Sequence, residues 1–305
     1  VTSVEDNNNE IEEAELRKRW LRRYLKAQGP VDTKIRKILA QASDDAESQI
    51  ASLAKNPTFS ARVKTTQLKM VMVEIREVLN DAFTSIVPVI SAGNKQAALQ
   101  ASDAITESDL DYLKRAFAAS GGDYRDFIEG QRRQAQIHVA NVVSKMYGFD
   151  KPLSSRVYRT RYQATTWVRN TVSRKIATGA SAKDIAKAVR SSIRTNTPGG
   201  VGYAAMRLGR TELNNAFHAT SVNLAKNRPW INGMVWHTSA THEPNENGLI
   251  EICDIYNGKT FDVESVPPKP HPHCRCFVVP EVEPLDVFVS HLTAGQYRDW
   301  IGNAA

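Results

Sequence analysis

Residues 31–53 read VDTKIRKILAQASDDAESQIASL, and the apolar spacing in this stretch decides the fold class. Val31, Ile35, Ile38, Ala42, Ala46, Ile50 and Leu53 recur at steps of three and four, which puts them on one face of an α-helix. Leu68, Val71, Ile75, Val78 and Ala82 repeat the pattern. A proline removes a backbone donor and its ring crowds the preceding turn. Asn56-Pro57 is therefore expected to break the first helix, and Pro88 to kink or end the second. Further helices are expected at about 95–119, 122–147 and 153–178, punctuated by Gly121-Gly122 and Lys151-Pro152. β-branched alternation is almost absent before residue 230. The expected fold is mainly α, an elongated helical N-terminal region carrying a small α+β C-terminal domain.

The remaining bounds come from composition. At 305 residues and 41% hydrophobic, the chain can bury a core of ordinary size. Its net charge of +7 permits an acidic partner without demanding one. No apolar run approaches the roughly 18 residues of a membrane span. The opening VTSVEDNNNE lacks a basic-then-apolar signal, which argues against secretion by that route, and residues 1–10 are expected to be frayed. There are three cysteines, Cys253, Cys274 and Cys276, all in the last sixth of the chain. An odd, small number argues against a disulfide scaffold and for a reducing compartment.

In 176–185, IATGASAKDI, Gly179 suits a helix C-terminus, and Ser181 with Asp184 makes a capping box that opens the next helix. The helix–turn–helix is read first as plain structure, since this pattern alone does not define a DNA reader. Composition changes after Arg228-Pro229. Trp230–Thr238 and Arg275–Val279 read as strands, with Trp236, Ile252, Phe261 and Phe277 as the core between them. The expected division is therefore a frayed 1–10, a helical body at 11–195, a compact α+β domain at 196–280 and a tail at 281–305. That tail has one short amphipathic piece around 292–300.

Between Arg156 and Arg210 there are twelve basic residues and one acid, Asp184. Val157, Ala164, Val168, Val172 and Ile176 share a face, so many of the charges fall elsewhere on the helix. Such a run is usually a solvated face. Read functionally, it is a nucleic-acid or acidic-partner surface, with Arg156, Arg159, Arg161, Arg169, Arg174, Lys175, Arg190 and Arg194 as its candidates. Tyr158, Tyr162 and Trp167 interleave with them, as core or as stacking platforms. Residues 241–267 hold six acids against Lys259, which disfavours DNA contact there.

The sharpest chemistry lies in Cys253, His271, Cys274 and Cys276. Thiolates and an imidazole at His271-x-x-Cys274-x-Cys276 match the donor softness and tetrahedral geometry of a structural zinc site, with Cys253 returning to complete it. A Cys253–Cys274 disulfide and free buried thiols are the alternatives. His237 and His242 read as surface contacts beside acids. A metal-dependent nuclease drawing on His237, His271 and His273 is the weakest reading, since nothing in the spacing requires it. Gly258-Lys259-Thr260 lacks the first glycine of a phosphate-binding loop, and no GxSxG, HExxH or GxGxxG occurs.

These pieces fall in a recognisable order. Arg210-Thr211-Glu212 opens a helical segment, and Val235-Trp236-His237-Thr238 follows as a strand. Ile252-Cys253-Asp254, Asn257-Gly258-Lys259 and Phe261 come next, then His271-Pro272-His273-Cys274-Arg275-Cys276 and Pro280. Over about 200–280 this resembles the phage head morphogenesis family, the Mu F-like minor head proteins. Arg210, Glu212, Trp236 and Arg275 are the positions that match its structural motif. The chain departs from the pattern at Tyr256, where a second cysteine is common, and in an extended insertion at 239–251. The resemblance implies a virion protein of a tailed bacteriophage, not an enzyme, made in the host bacterial cytoplasm and placed in the capsid interior at the portal vertex. It implies action in head assembly, DNA packaging or ejection, with the portal protein as partner and the major capsid or scaffolding protein and packaged DNA as further ones. A DNA-binding protein using the basic 156–210 segment is the alternative.

Overall fold

The computed structural model describes residues 4–53, 67–120, 153–242 and 250–297, with positions 55, 137, 139, 141 and 142. The fold is mainly α, with a small three-stranded sheet and short helices toward the C-terminus. Its elements are α1 (Val4–Leu53), α2 (Leu68–Ser120), α3 (Leu153–Ala177), α4 (Ala182–Arg194), α5 (Val201–Lys226), β1 (Ile231–His237), α6 (Ile252–Tyr256), β2 (Thr260–Phe261), β3 (Phe277–Val282) and α7 (Leu285–Thr293). None of the described helices is long and apolar enough to cross a membrane.

Two compact units share this chain. One comprises 1–28, 94–146 and 213–305, the other 29–93 and 147–212. The expected boundary at 195 falls inside the second unit, and α1, α2 and α5 each contribute to both units.

The second unit is a helical assembly. Its buried stripe on α1 is Val31, Ile35, Leu39, Ala42, Ala46 and Ile50, with Leu39 in the place expected for Ile38. Val71, Ile75, Val78, Ala82, Ile86 and Ile90 supply the stripe on α2. Pro88 does not end this helix, which runs on through the stretch expected separately at 95–119. Both Pro88 and Thr84 lie on the solvent side, where water can satisfy the carbonyl that the proline leaves unbonded. Helix α1 likewise begins at Val4, within the stretch expected to be frayed.

Gly179 adopts a φ of 70° after α3, and the Ser181 side chain accepts from the Asp184 N–H at the start of α4, completing the capping box. Gly209 permits a close approach, since a Cβ there would lie 2.8 Å from Ile35 Cδ1. The break at Asn56-Pro57 lies outside the described residues, as does most of the helix expected at 122–147.

The first unit holds the sheet. β1 is central, antiparallel to both β2 and β3, with Val235 opposite Thr260 and Val279, and Trp236 opposite Val278. Trp236 and Phe277 are buried as expected, and Phe261 is half-buried. Ile252 is 43% exposed and leaves the expected core. The one-turn helix α6 has room for only one inward stripe, and Cys253 and Tyr256 fill it. β3 extends to Val282 and α7 starts at Leu285, so ordered structure occupies the beginning of the expected tail. In α7, Phe288 is buried against Tyr112, Trp230 and Tyr297.

Candidate metal centre

Three local devices bring the cysteines together. Cys253 is the buried residue of α6. Cys274 and Cys276 lie two apart where the chain enters β3, and both are buried. His273, between them and His271, has a φ of 65°, a left-handed conformation that turns the segment back on itself. The result is that Cys253 Sγ stands 3.5 Å from Cys274 Sγ and 3.4 Å from His271 Nε2. Among the described residues, Cys253, His271 and Cys274 are the one group of three whose ligand atoms all lie within 4.8 Å of one another.

All three cysteines are free. A separation of 3.5 Å between Cys253 and Cys274 is far from the roughly 2.05 Å of a disulfide. Hydrogen bonds from the other two thiols drive the Cys274 thiol well below its ordinary range, and Lys269 and His271 add to this. The same interaction pushes Cys253 up. The cluster therefore favours at least one thiolate.

Three residues that drew no ligand reading in the sequence, His242, Arg275 and Lys269, belong to the surroundings of this cluster. His242 Nδ1 faces Cys276 Sγ at 3.9 Å, while its Nε2 is held 2.7 Å from Asp254 Oδ1. The expected contact with an acid is there, but on the side away from the sulfur. Arg275 Nη1 donates to Thr241 Oγ1 at 3.4 Å, tying the same turn down. Lys269 donates to the Cys276 carbonyl and lies 5.1 Å from the centre of the Trp236 ring. His237 stacks on Phe277 instead of joining the cluster.

His218 packs edge-on to Trp236, and its Nε2 lies 2.9 Å from the Pro267 carbonyl. Burial pushes its pKa down from 6.5 to about 3, with Lys269 contributing repulsion. The unfolded chain takes up this proton as pH falls through 6.5 and the folded chain does not until about 3. Stability is thus present above pH 6.5 and is lost as pH falls between those values, by about 2 kcal/mol at pH 5. Urea denaturation at pH 7 and pH 5 should show this loss, and His218→Gln should remove most of it. An unchanged slope in that variant would show that another group carries the pH dependence.

The basic candidates divide into two sets, all within the helical unit. Arg156 pairs with the buried Glu212 at 2.6 Å. Arg190 pairs with Asp44 and Glu47, Arg194 with Asp44, and Arg161 donates to Asn80. Arg156, Arg190 and Arg194 spend charge on acids of the fold, while Arg161, bonded to a neutral amide, keeps its own. Arg159, Arg169, Arg174 and Lys175 are exposed. Tyr158 and Tyr162, 60% and 66% exposed, are surface residues, and Arg161 lies 4.9 Å from the Tyr158 ring centre. They border a cleft of about 620 Å³ that Arg76, Glu77, Asp81 and Arg169 also line. The motif residues divide likewise. Arg210 grips Asp32 with two donors at 3.1 and 2.7 Å in the helical unit, where Glu212 also lies, while Trp236 and Arg275 belong to the sheet unit.

No family model matches this chain, and neither a curated protein nor a solved structure does.

Proposed function

We propose that the chain is a minor head protein of a tailed bacteriophage, docked at the portal vertex and acting in head assembly, DNA packaging or ejection. The observation that carries this reading is that Trp236, Cys253, Cys274 and Cys276, motif residues far apart in the chain, pack into one core. The Arg210–Asp32 and Arg156–Glu212 pairs give the Arg-Thr-Glu segment a structural reason of the same kind. A role of this sort asks for stable surfaces and no catalysis. Its partners are the portal protein and, beside it, the major capsid or scaffolding protein and packaged DNA. The protein is made in the bacterial cytoplasm and resides in the virion.

The test is to mix the full-length chain with purified oligomers of the portal protein encoded by the same genome, and to sediment them. Co-migration is the expected result. A chain that travels alone at micromolar concentrations of both would sink the reading.

A further inference from the structure

A mechanical role at a portal does not call for three buried sulfurs and two imidazoles within one small core. The separations among Cys253, His271 and Cys274 are those of ligands around a common ion. Bonds of about 2.3 Å to sulfur and about 2.05 Å to nitrogen, arranged tetrahedrally, put two sulfurs about 3.8 Å apart and a sulfur and a nitrogen about 3.5 Å apart. Here the corresponding distances are 3.5 Å and 3.4 Å.

His271 Nδ1 is 3.0 Å from the Pro272 carbonyl, to which it donates; in the neutral ring this leaves the lone pair on Nε2, which faces Cys253, with Glu251 3.7 Å away. Charge is also provided for. Three thiolates and one divalent ion leave a single negative charge, and the Lys269 ammonium is anchored on the carbonyl of Cys276. Finally, this site would join α6 to the segment entering β3, in a sheet whose strand β2 is only two residues long.

We propose that Cys253, His271 and Cys274 hold one zinc-class divalent cation, that Cys276 of the same buried core moves in as the fourth ligand when the ion binds, and that Lys269 balances the charge while His242, oriented by Asp254, supports Cys276 from outside. With Cys276 drawn in, all four ligand positions are filled by protein, so the site is structural and offers no open position for a reacting water. The sheet unit is then clipped together by metal, independently of what the chain docks against.

The experiment uses the full-length chain, reduced, stripped with a chelator and titrated with Co²⁺. One equivalent is expected to bind, with sulfur-to-cobalt charge-transfer absorption and the visible bands of a tetrahedral ion, and one equivalent of Zn²⁺ should displace it. His271→Ala should lose the tetrahedral bands. His242→Ala should keep them and bind Co²⁺ about 10–100-fold more weakly. A reduced wild-type chain that binds no Co²⁺, or binds it without charge-transfer absorption, overturns the proposal whether or not any variant folds. Equal loss of the visible bands in His242→Ala and His271→Ala overturns the assignment of His271 as the fourth ligand.

Discussion

Replacing Arg228 with alanine is expected to cost about 3–5 kcal/mol of stability at pH 7, because it leaves a buried carboxylate without its counter-charge. Asp109 on α2 and Arg228 after α5 form an ion pair whose side chains are 1% and 4% exposed. Arg228 Nη1 also donates to the Leu224 carbonyl at 2.9 Å, so the same side chain satisfies the open C-terminal end of α5. Burial raises the Asp109 pKa above its ordinary 3.8, and Arg228 with the Trp230 indole opposes this. The folded state therefore holds the Asp109 proton more tightly than the unfolded state does. Its contribution is fully present below about pH 4 and is lost as pH rises through the raised value. Without Arg228 that value rises further, so the deficit of Arg228→Ala should be largest near pH 7 and shrink on acidification. Urea denaturation of the two proteins at pH 7 and pH 5 measures it. An equal deficit at both values would show that lost packing or the lost cap, not the stranded charge, is responsible.

Trp236→Ala should cost a similar amount, about 3–5 kcal/mol, through lost burial and the cavity left behind. Trp236 is fully buried near the C-terminal end of β1, and its ring meets Tyr256 at 5.3 Å, His218 at 5.8 Å and Phe261 at 6.5 Å, each edge-on. This edge-to-face arrangement places the positive rim of one ring on the negative face of another. Trp236→Phe, which keeps most of that geometry, should cost clearly less. Denaturation midpoints of the two variants give the comparison. A near-neutral Trp236→Ala would mean that the sheet unit does not depend on this core.

How much of this was legible depended on the range of the interaction. The capping box at Ser181 and Asp184 is closed by atoms three residues apart, so reading the residues located it correctly. The stripes of α1 and α2 are equally local. The continuation of α2 past Pro88 was not legible, since the local rule against proline competes with burial of Ile86, Ile90 and Ala97 on either side of it. Ile252 was expected inside because it is apolar, but an α6 of one turn buries the face of Cys253 and Tyr256 instead.

The same range separates the two kinds of site. His271, Cys274 and Cys276 lie within six residues and could be grouped by eye. His242 and Lys269 carried no local sign, and only the turn at Ser239–His242 and the packing under Trp236 bring them in.

From its residues alone, this chain determined that it would be helical, where one turn would fall, and which cysteines and histidine would keep company. Those properties follow from backbone periodicity and short spacings. Tertiary structure decided which arginines keep their charge for the surface, which acids consume the rest, and which side chains surround the sulfurs. Asp32, Asp44, Glu47 and Glu212 neutralise positions in a run that holds twelve basic residues and only one acid. The physical reason is that an apolar pattern names the face a helix will bury, while the identity of what meets that face depends on segments 56 to 178 residues away in the chain.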